Sequence, residues 1–459
     1  MKKKICQVGW KRPSKCVDGL TARFVGVLFT LLLLWGGDAR ALEAEDWVLD
    51  NGLRVILVNE AKAPVVVTQV WYQVGGIDEK EGKTGLSHML EHMMFRGTQS
   101  VPAGEYSRII ARNGGEDNAS TSWDYTDYWS KLSSDQLDLA LELEADRMHN
   151  LVLDPEKFRS ENLVVREERR TRFESNPQGR FFEKFKQHLF QDHPYGRSVI
   201  GSMRDIVNYT VQDLEAWYYT HYTPDNAVLL VVGDVDFVRA RALIHRYFGA
   251  LPSGGGNKRV RLPKDQNVVG GRRLMEQDKE AMGSVLHVAW LVPSLTFGRT
   301  EDVYPLDVLA AVLGGGGSGR LYRRIVVEQK KAVSVQTQYG GTSLGPESFE
   351  ISLEPRDGLP VAELEGAVLS ELGAMMEEVV SELELQRAKN GLLADRIYAM
   401  DSVDHLAGMI GRLAINGLDW RAVVEHYPEK VQEVTGLQIR DVMRRYLSRE
   451  KAVVGVLMP

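Results

Sequence analysis

The chain has 459 residues, 44% hydrophobic and 26% charged, an ordinary globular composition that excludes disordered, collagen-like and coiled-coil chains. Its formal charge of -7 hides an asymmetry: residues 1–41 hold eight Lys/Arg against Asp18 and Asp38, so the remainder carries -13. An acidic body of that size argues against nucleic acid or an anionic membrane surface as partner.

In chain order, a basic region is followed by the apolar run Phe24 to Trp35 and then by Ala39-Arg40-Ala41. That order describes a secretory signal peptide over residues 1–41, cleaved after Ala41, and predicts an exported, periplasmic protein. An uncleaved membrane anchor is the alternative, although the run is shorter than the roughly 20 residues of a comfortable span. Both cysteines, Cys6 and Cys16, lie in this segment, so the mature chain is expected to have neither a disulfide nor a thiol nucleophile.

From Leu42 onward, short β-like runs alternate with helical patterns, which predicts a mixed α/β (α+β) fold. Asp50-Asn51-Gly52 marks a hairpin between Trp47-Val48-Leu49 and Leu53–Val58, and Val65 to Trp71 is a β-branched run. Residues 251–271 are rich in Gly, Pro and polar side chains and read as a linker between a domain at 42–250 and another at 272–459. The two portions end alike, each with a helix (to Tyr222 and to Tyr446) leading into an apolar strand (from Ala227 and from Ala452). Two copies of one α/β unit are therefore expected, with a site enclosed between them.

The chemistry centres on Thr84 to Phe95. Apolar Leu86, Met89, Leu90 and Met93 have helical spacing, which places His88 and His92, four apart, on one face. Glu91 lies on the neighbouring face, within reach of a metal-bound water. Two histidines, one carboxylate and an open position make a hydrolytic zinc site. The order H-x-x-E-H is the inverted zincin motif, which calls for an acidic ligand on a second helix. Asp154 as N-cap and Pro155 at the first position predict that helix, ending near Asn176-Pro177. On it Glu161 and Glu168 are seven apart and share a face, while Glu167 points elsewhere. Glu168 is the expected third ligand, and Glu161 a group that orients a histidine or a water.

With these residues in place, the sequence resembles the pitrilysin/insulinase family of zinc peptidases, most closely its bacterial, mitochondrial-processing-peptidase-like branch. The resemblance covers nearly all of residues 45–459. It rests on Asn51 to Val55, on Gly85 to Gly97, on Asn118 to Ser122, on the helix with Glu161 and Glu168, on His193 to Gly196 and on Val231 to Val235. Glu168 lies at the distance from His92 at which that family carries its second glutamate. The resemblance implies His88, His92 and Glu168 as ligands of one zinc ion per chain and Glu91 as general base. It also implies two related domains, each a mostly antiparallel sheet with helices packed on it, together forming half of a clam-like chamber. Asn118, Ala119 and Ser120 resemble the family's edge strand, whose backbone holds an extended peptide by β-addition.

One part of the family's pattern is missing. Its second half usually carries an Arg and a Tyr, seven residues apart, that bind the substrate carbonyl and stabilise the oxyanion. Aligned on Ala332 and Ser334-Val335, those positions hold Val326 and Val333. The chain thus resembles the catalytic subunit of heterodimeric members, in which a homologue lacking the zinc motif supplies the pair. The reading is a zinc endopeptidase subunit acting on peptides or unfolded segments; a non-catalytic or weakly active scaffold subunit is the alternative. Gly314 to Gly319 lacks the Gly-Lys-Ser/Thr ending of a phosphate-binding loop, so no nucleotide is expected. His149, His188, His221, His245, His287, His405 and His426 have no ligand-like partners at telling spacings and are read as structural.

Overall fold

The computed structural model describes residues 42–255, 259 and 271–459. The expected signal segment and most of the expected linker lie outside them. Strands β1 (Glu43–Val48), β2 (Arg54–Asn59), β3 (Val65–Tyr72), β4 (Glu116–Thr121), β5 (Thr126–Ser133) and β6 (Ala227–Gly233) form one sheet in the order β1-β2-β6-β3-β5-β4. Strands β7 (Arg272–Gln277), β8 (Val285–Val292), β9 (Ala332–Gln338), β10 (Glu347–Pro355) and β11 (Val453–Met458) form a second, ordered β7-β11-β8-β10-β9.

Apart from β1, the two orders are the same. β2 runs parallel to β6 and β7 parallel to β11, and every other pairing is antiparallel. The fold is thus a mixed α/β architecture of two related, mostly antiparallel sheets. Asn51-Gly52 makes the β1–β2 turn: Gly52 N–H donates to Leu49 O, and Gly52 sits at φ +93°, which glycine adopts without strain.

The first half also contributes helices α1 (Leu86–Met93), α2 (Glu105–Arg112), α3 (Leu137–His149), α4 (Pro155–Arg169), α5 (Pro177–Phe190), α6 (Met203–Asn208), α7 (Val211–His221) and α8 (Phe237–Phe248). The second carries α9 (Val303–Gly314), α10 (Val361–Glu377), α11 (Glu382–Asp401), α12 (Val403–Ile415), α13 (Trp420–Glu433) and α14 (Gly436–Tyr446). The helices before the last strands, α7 and α14, both open with a capping box, Thr210 with Asp213 and Thr435 with Gln438.

Alternation along β3 sends Val66, Val70 and Tyr72 into a core with α1, α3, α7 and α8, and Trp71 to the opposite face. That face is covered by α12 from the second half, where Gly411 lets the helix lie against Trp71: a Cβ there would meet the indole at 2.2 Å. The exchange is reciprocal. α5 of the first half lays Phe181, Phe185 and Leu189 on Leu274, Ala289, Val453 and Leu457 of the second sheet, against Gly455. Each half thus completes the other's sheet with a helix.

The helix expected to run from Asp154 towards Asn176 differs in its second part. Asp154 does cap α4, accepting from the N–H groups of Glu156 and Lys157. The α-helical stretch ends at Arg169, however, and Arg170–Glu174 form a single π-helical turn. Asn176-Pro177 then starts α5, with Asn176 accepting from Gln178 and Gly179 N–H. The Gly314–Gly319 stretch joins α9 to the helical residues 322–328.

Candidate metal centre

α1 is pinned at its N-terminus. Gly85 lies at φ +92° with its Cα against Ile200 O, where a Cβ would come within 2.2 Å. The buried carboxylate of Glu79 accepts from Gly85 N–H (2.7 Å) and Ser87 N–H (2.8 Å), and Asp205 accepts from Thr84 N–H and Oγ1. A carboxylate at that place satisfies orphan amides of the first turn and complements the helix dipole. Burial nonetheless pushes the Glu79 pKa up to about 7.

The pinned helix presents His88, buried, and His92, half-buried, with ring centroids 4.7 Å apart. α4 crosses it and brings in Glu168, whose Oε2 is 3.3 Å from His92 Nε2 and 3.7 Å from His88 Nε2. The three ligand atoms lie within 4.8 Å of one another. Zinc bonds of about 2.0–2.1 Å in a tetrahedron require ligand atoms about 3.3 Å apart, so these residues fit that ion with little movement. Among the described residues no second group of three metal-ligating side chains is gathered.

Around this trio sit groups that aim it. His92 Nδ1 lies 2.8 Å from Glu161 Oε1, and Arg96 holds the other oxygen of Glu161. Arg172, in the π-helical turn, pairs at 2.8 Å with Glu168 Oε1, the oxygen turned away from the histidines. Glu167 is exposed and paired with Arg170, on the other face of α4. His88 Nδ1, by contrast, is buried without a hydrogen-bond partner. Glu91 is mostly shielded from solvent and accepts a hydrogen bond from Thr121 Oγ1 of β4.

The protein's own groups drive the proton affinities apart. Burial, reinforced by the neighbouring His92, pushes His88 down to about 4. Burial acts in the same sense on His92, but Glu161 and Glu168 outweigh it and raise His92 to about 9. Glu168 is lowered by His92, whereas burial raises Glu91 against the opposing Thr121 hydrogen bond. Divergent shifts packed this closely mark functional sites more often than structural ones.

Beside the trio, β4 is the last strand of its sheet and pairs only with β5. Its outer edge offers backbone N–H and C=O groups. The Asn118 and Ser120 side chains are engaged within the chain, Asn118 Oδ1 by Ala119 N–H and Ser120 Oγ by Asp127. Thr121, Arg172, Arg96 and Glu79 were not legible in the sequence, since each acts across elements. Glu79 alone left a hint, an acidic residue shortly before a helix that has no Ser, Thr, Asp or Asn cap of its own.

Residues 54–203 match the profile of the Insulinase (Peptidase family M16) family, and residues 208–392 that of the Peptidase M16 inactive domain. The zinc protease PqqE of Helicobacter pylori is 33% identical over 398 residues, spanning 84% of this chain and 88% of the relative. A solved protease from Helicobacter pylori is similar at TM-score 0.84 and 29% identity, over 91% of this chain and 100% of that one. The periplasmic protease PqqL from Escherichia coli shares the fold at TM-score 0.76 and 20% identity; 91% of this chain takes up 48% of it. With both halves matched in order, and a third of the aligned residues shared with a zinc protease over most of both lengths, the chain belongs to the insulinase family of peptidases, family M16.

Proposed function

We propose that the chain is a zinc-dependent endopeptidase subunit in which His88, His92 and Glu168 hold one zinc ion and Glu91 is the general base. The observation that carries this reading is the convergence of two imidazole nitrogens and one carboxylate oxygen within 4.8 Å, beside an open sheet edge. Bound there, zinc supplies Lewis acidity, lowering the pKa of a water towards about 7 and polarising a carbonyl.

The chain's own groups do the rest. Glu91 takes the proton of the attacking water and returns it to the leaving amine, and its burial makes it a stronger base than a solvated carboxylate. Thr121 fixes the carboxylate's orientation. Glu161 holds His92 with Nε2 towards the metal. The β4 backbone at Asn118, Ala119 and Ser120 pairs with an extended peptide, so recognition there is of main chain. Residues 42–250 form the zinc-bearing domain and 272–459 a related domain without a metal, and residues 1–41 direct export to the periplasm.

Val326 is buried in the core of the second half and Val333 is exposed on β9, so neither offers a donor to an oxyanion. A homologous partner chain that lacks the zinc motif supplies the missing Arg and Tyr in an enclosed chamber. The same two valines favour a second reading, a non-catalytic scaffold subunit. Zinc content and peptide hydrolysis separate them. The peptidase holds about one zinc per chain, and Glu91→Gln keeps the metal while losing at least about 100-fold in rate. Wild-type protein that takes up no zinc would sink the enzyme. Full hydrolytic activity from the chain purified alone would remove the partner.

A further inference from the structure

Just beyond Glu168 the chain departs from regular helix. α4 ends at Arg169, and Arg170–Glu174 make one π-helical turn, closed by Ser175 N–H donating to Arg170 O at 2.8 Å. Single turns of this kind recur at functional sites. This one is clamped by α5. Arg169, itself buried, forks onto Glu183 of α5 at 2.7 and 2.8 Å, and its guanidinium lies 4.7 Å from the ring centroid of Phe173 in the turn. Gly179, in the first turn of α5, lies so close to Arg172 O that there is no room for a Cβ. α5 is fixed in its turn by Phe181, Phe185 and Leu189 against the second sheet. The backbone of Arg172 is thus set by packing that reaches the second half.

At the trio, this arrangement gives the two oxygens of Glu168 different partners. Oε2 faces His92 Nε2 at 3.3 Å and His88 Nε2 at 3.7 Å. Oε1 is 2.8 Å from Arg172 Nη2. A carboxylate can bind a metal through one oxygen or through both, and hydrolytic zinc sites with three protein ligands keep a further position for water. An Oε1 without a donor is free to swing onto the metal, the largest charge in its neighbourhood, and crowd that position. A guanidinium suits the task of holding it back, because it stays charged and has no lone pair with which to ligate the metal itself.

We infer that Arg172 is a positioning residue: it holds Glu168 Oε1 away from the metal, so that Glu168 ligates through Oε2 alone and a coordination position stays open, and α5 sets Arg172 in place through Gly179. Its role rests on the proposed zinc site. The Arg172 side chain is 63% exposed, so its pairing with Glu168 adds little to metal affinity; what it governs is how Glu168 binds.

The test replaces zinc by cobalt(II), whose visible absorption is intense in four-coordinate sites and weak in five-coordinate ones, in the full chain as wild type, Arg172→Ala, Arg172→Lys and Gly179→Ala. Wild type shows the intense bands. Arg172→Ala loses most of that intensity, while its zinc affinity in chelator competition changes by less than about fivefold, the reach of one exposed ion pair. Arg172→Lys returns a donor to Oε1 and with it the wild-type spectrum. In Gly179→Ala the π-helical turn must shift, and the spectrum follows that of Arg172→Ala. A merely structural role would lower zinc affinity and leave the spectrum of the bound metal as in wild type. Wild-type bands in Arg172→Ala, or weak bands already in the wild type, would overturn the inference while the metal site stands. Wild-type bands in Gly179→Ala alone would remove α5 from the account. A wild-type chain that takes up neither zinc nor cobalt would sink the zinc site itself, and the role of Arg172 with it.

Discussion

Glu161 offers a graded test of how the metal centre is aimed. Its carboxylate is buried, with Oε1 2.8 Å from His92 Nδ1 and Oε2 against Arg96. Arg96 is 40% exposed, so its share of the pair is screened and small. The His92 contact is the one that counts: with Nδ1–H donating to Glu161, Nε2 keeps its lone pair for the metal. Glu161→Gln keeps an acceptor oxygen but removes the charge, which forfeits about half of a charge-assisted hydrogen bond, about 1 kcal/mol. Zinc affinity should fall about fivefold. Glu161→Leu removes the acceptor and leaves a buried N–H unpaired, about 2 kcal/mol or about 30-fold, within the range known for groups that orient metal-bound histidines. The assay is competition for zinc against a chromophoric chelator, with thermal melts of the apo proteins as the folding control and Glu168→Gln as the ligand-loss control. If Glu161→Leu binds zinc as wild type does while Glu168→Gln does not, the orienting role is wrong.

Thr121→Val removes the donor that lowers the Glu91 pKa; Glu91 must be ionised to act, so the acid limb of the pH–rate profile should move to higher pH, by up to about one unit. An unmoved limb would show that another group sets it. Gly411→Ala drives a Cβ into Trp71 and should cost about 1–3 kcal/mol in urea unfolding, against a refuting result of unchanged stability. Glu350 is pushed up by burial, but His287 at 2.9 Å and Lys186 outweigh that and hold it well below the usual carboxylate range. A folded pKa below the unfolded one gives stability that is present above the unfolded value of about 4.5 and lost as pH falls beneath it. Wild-type urea midpoints should therefore drop between pH 5 and pH 3, and Glu350→Gln should flatten the drop; parallel curves would refute the linkage.

What the sequence made legible was local. The Asp154-Pro155 start of α4, the Asn51-Gly52 turn and the face shared by His88 and His92 each depend on neighbours within a turn or two, and each is where those rules place it. The seven-residue spacing also separated Glu161 and Glu168 from Glu167, because helix geometry alone decides that. The exchanged helices were illegible, since α5 and α12 are apolar towards the other half's sheet and nothing local names the sheet. Thr121 reads as any strand threonine until β4 is laid beside α1. The π-helical turn that places Arg172 against Glu168 follows no propensity we can name.

The repeated strand order also gives a reason why the candidate ligands gather in one half only. In the slot that α1 fills with Ser87, His88, Glu91 and His92, the second half has α9, whose Leu306, Val308, Leu309 and Leu313 are fully buried. Burying an imidazole and a carboxylate is unfavourable, as the lowered His88 and raised Glu91 register. A bound metal offsets that cost; without one, each aliphatic side chain in the slot instead contributes about 1.5–3 kcal/mol. A second half relieved of metal binding is free to serve the first as scaffold, and α12 does so by covering the face of β3 and β6 opposite the metal helix. The proposed centre therefore draws its candidate ligands from one half and the backing of its sheet from the other. Residues Glu43–Pro459 accordingly form a single packed unit.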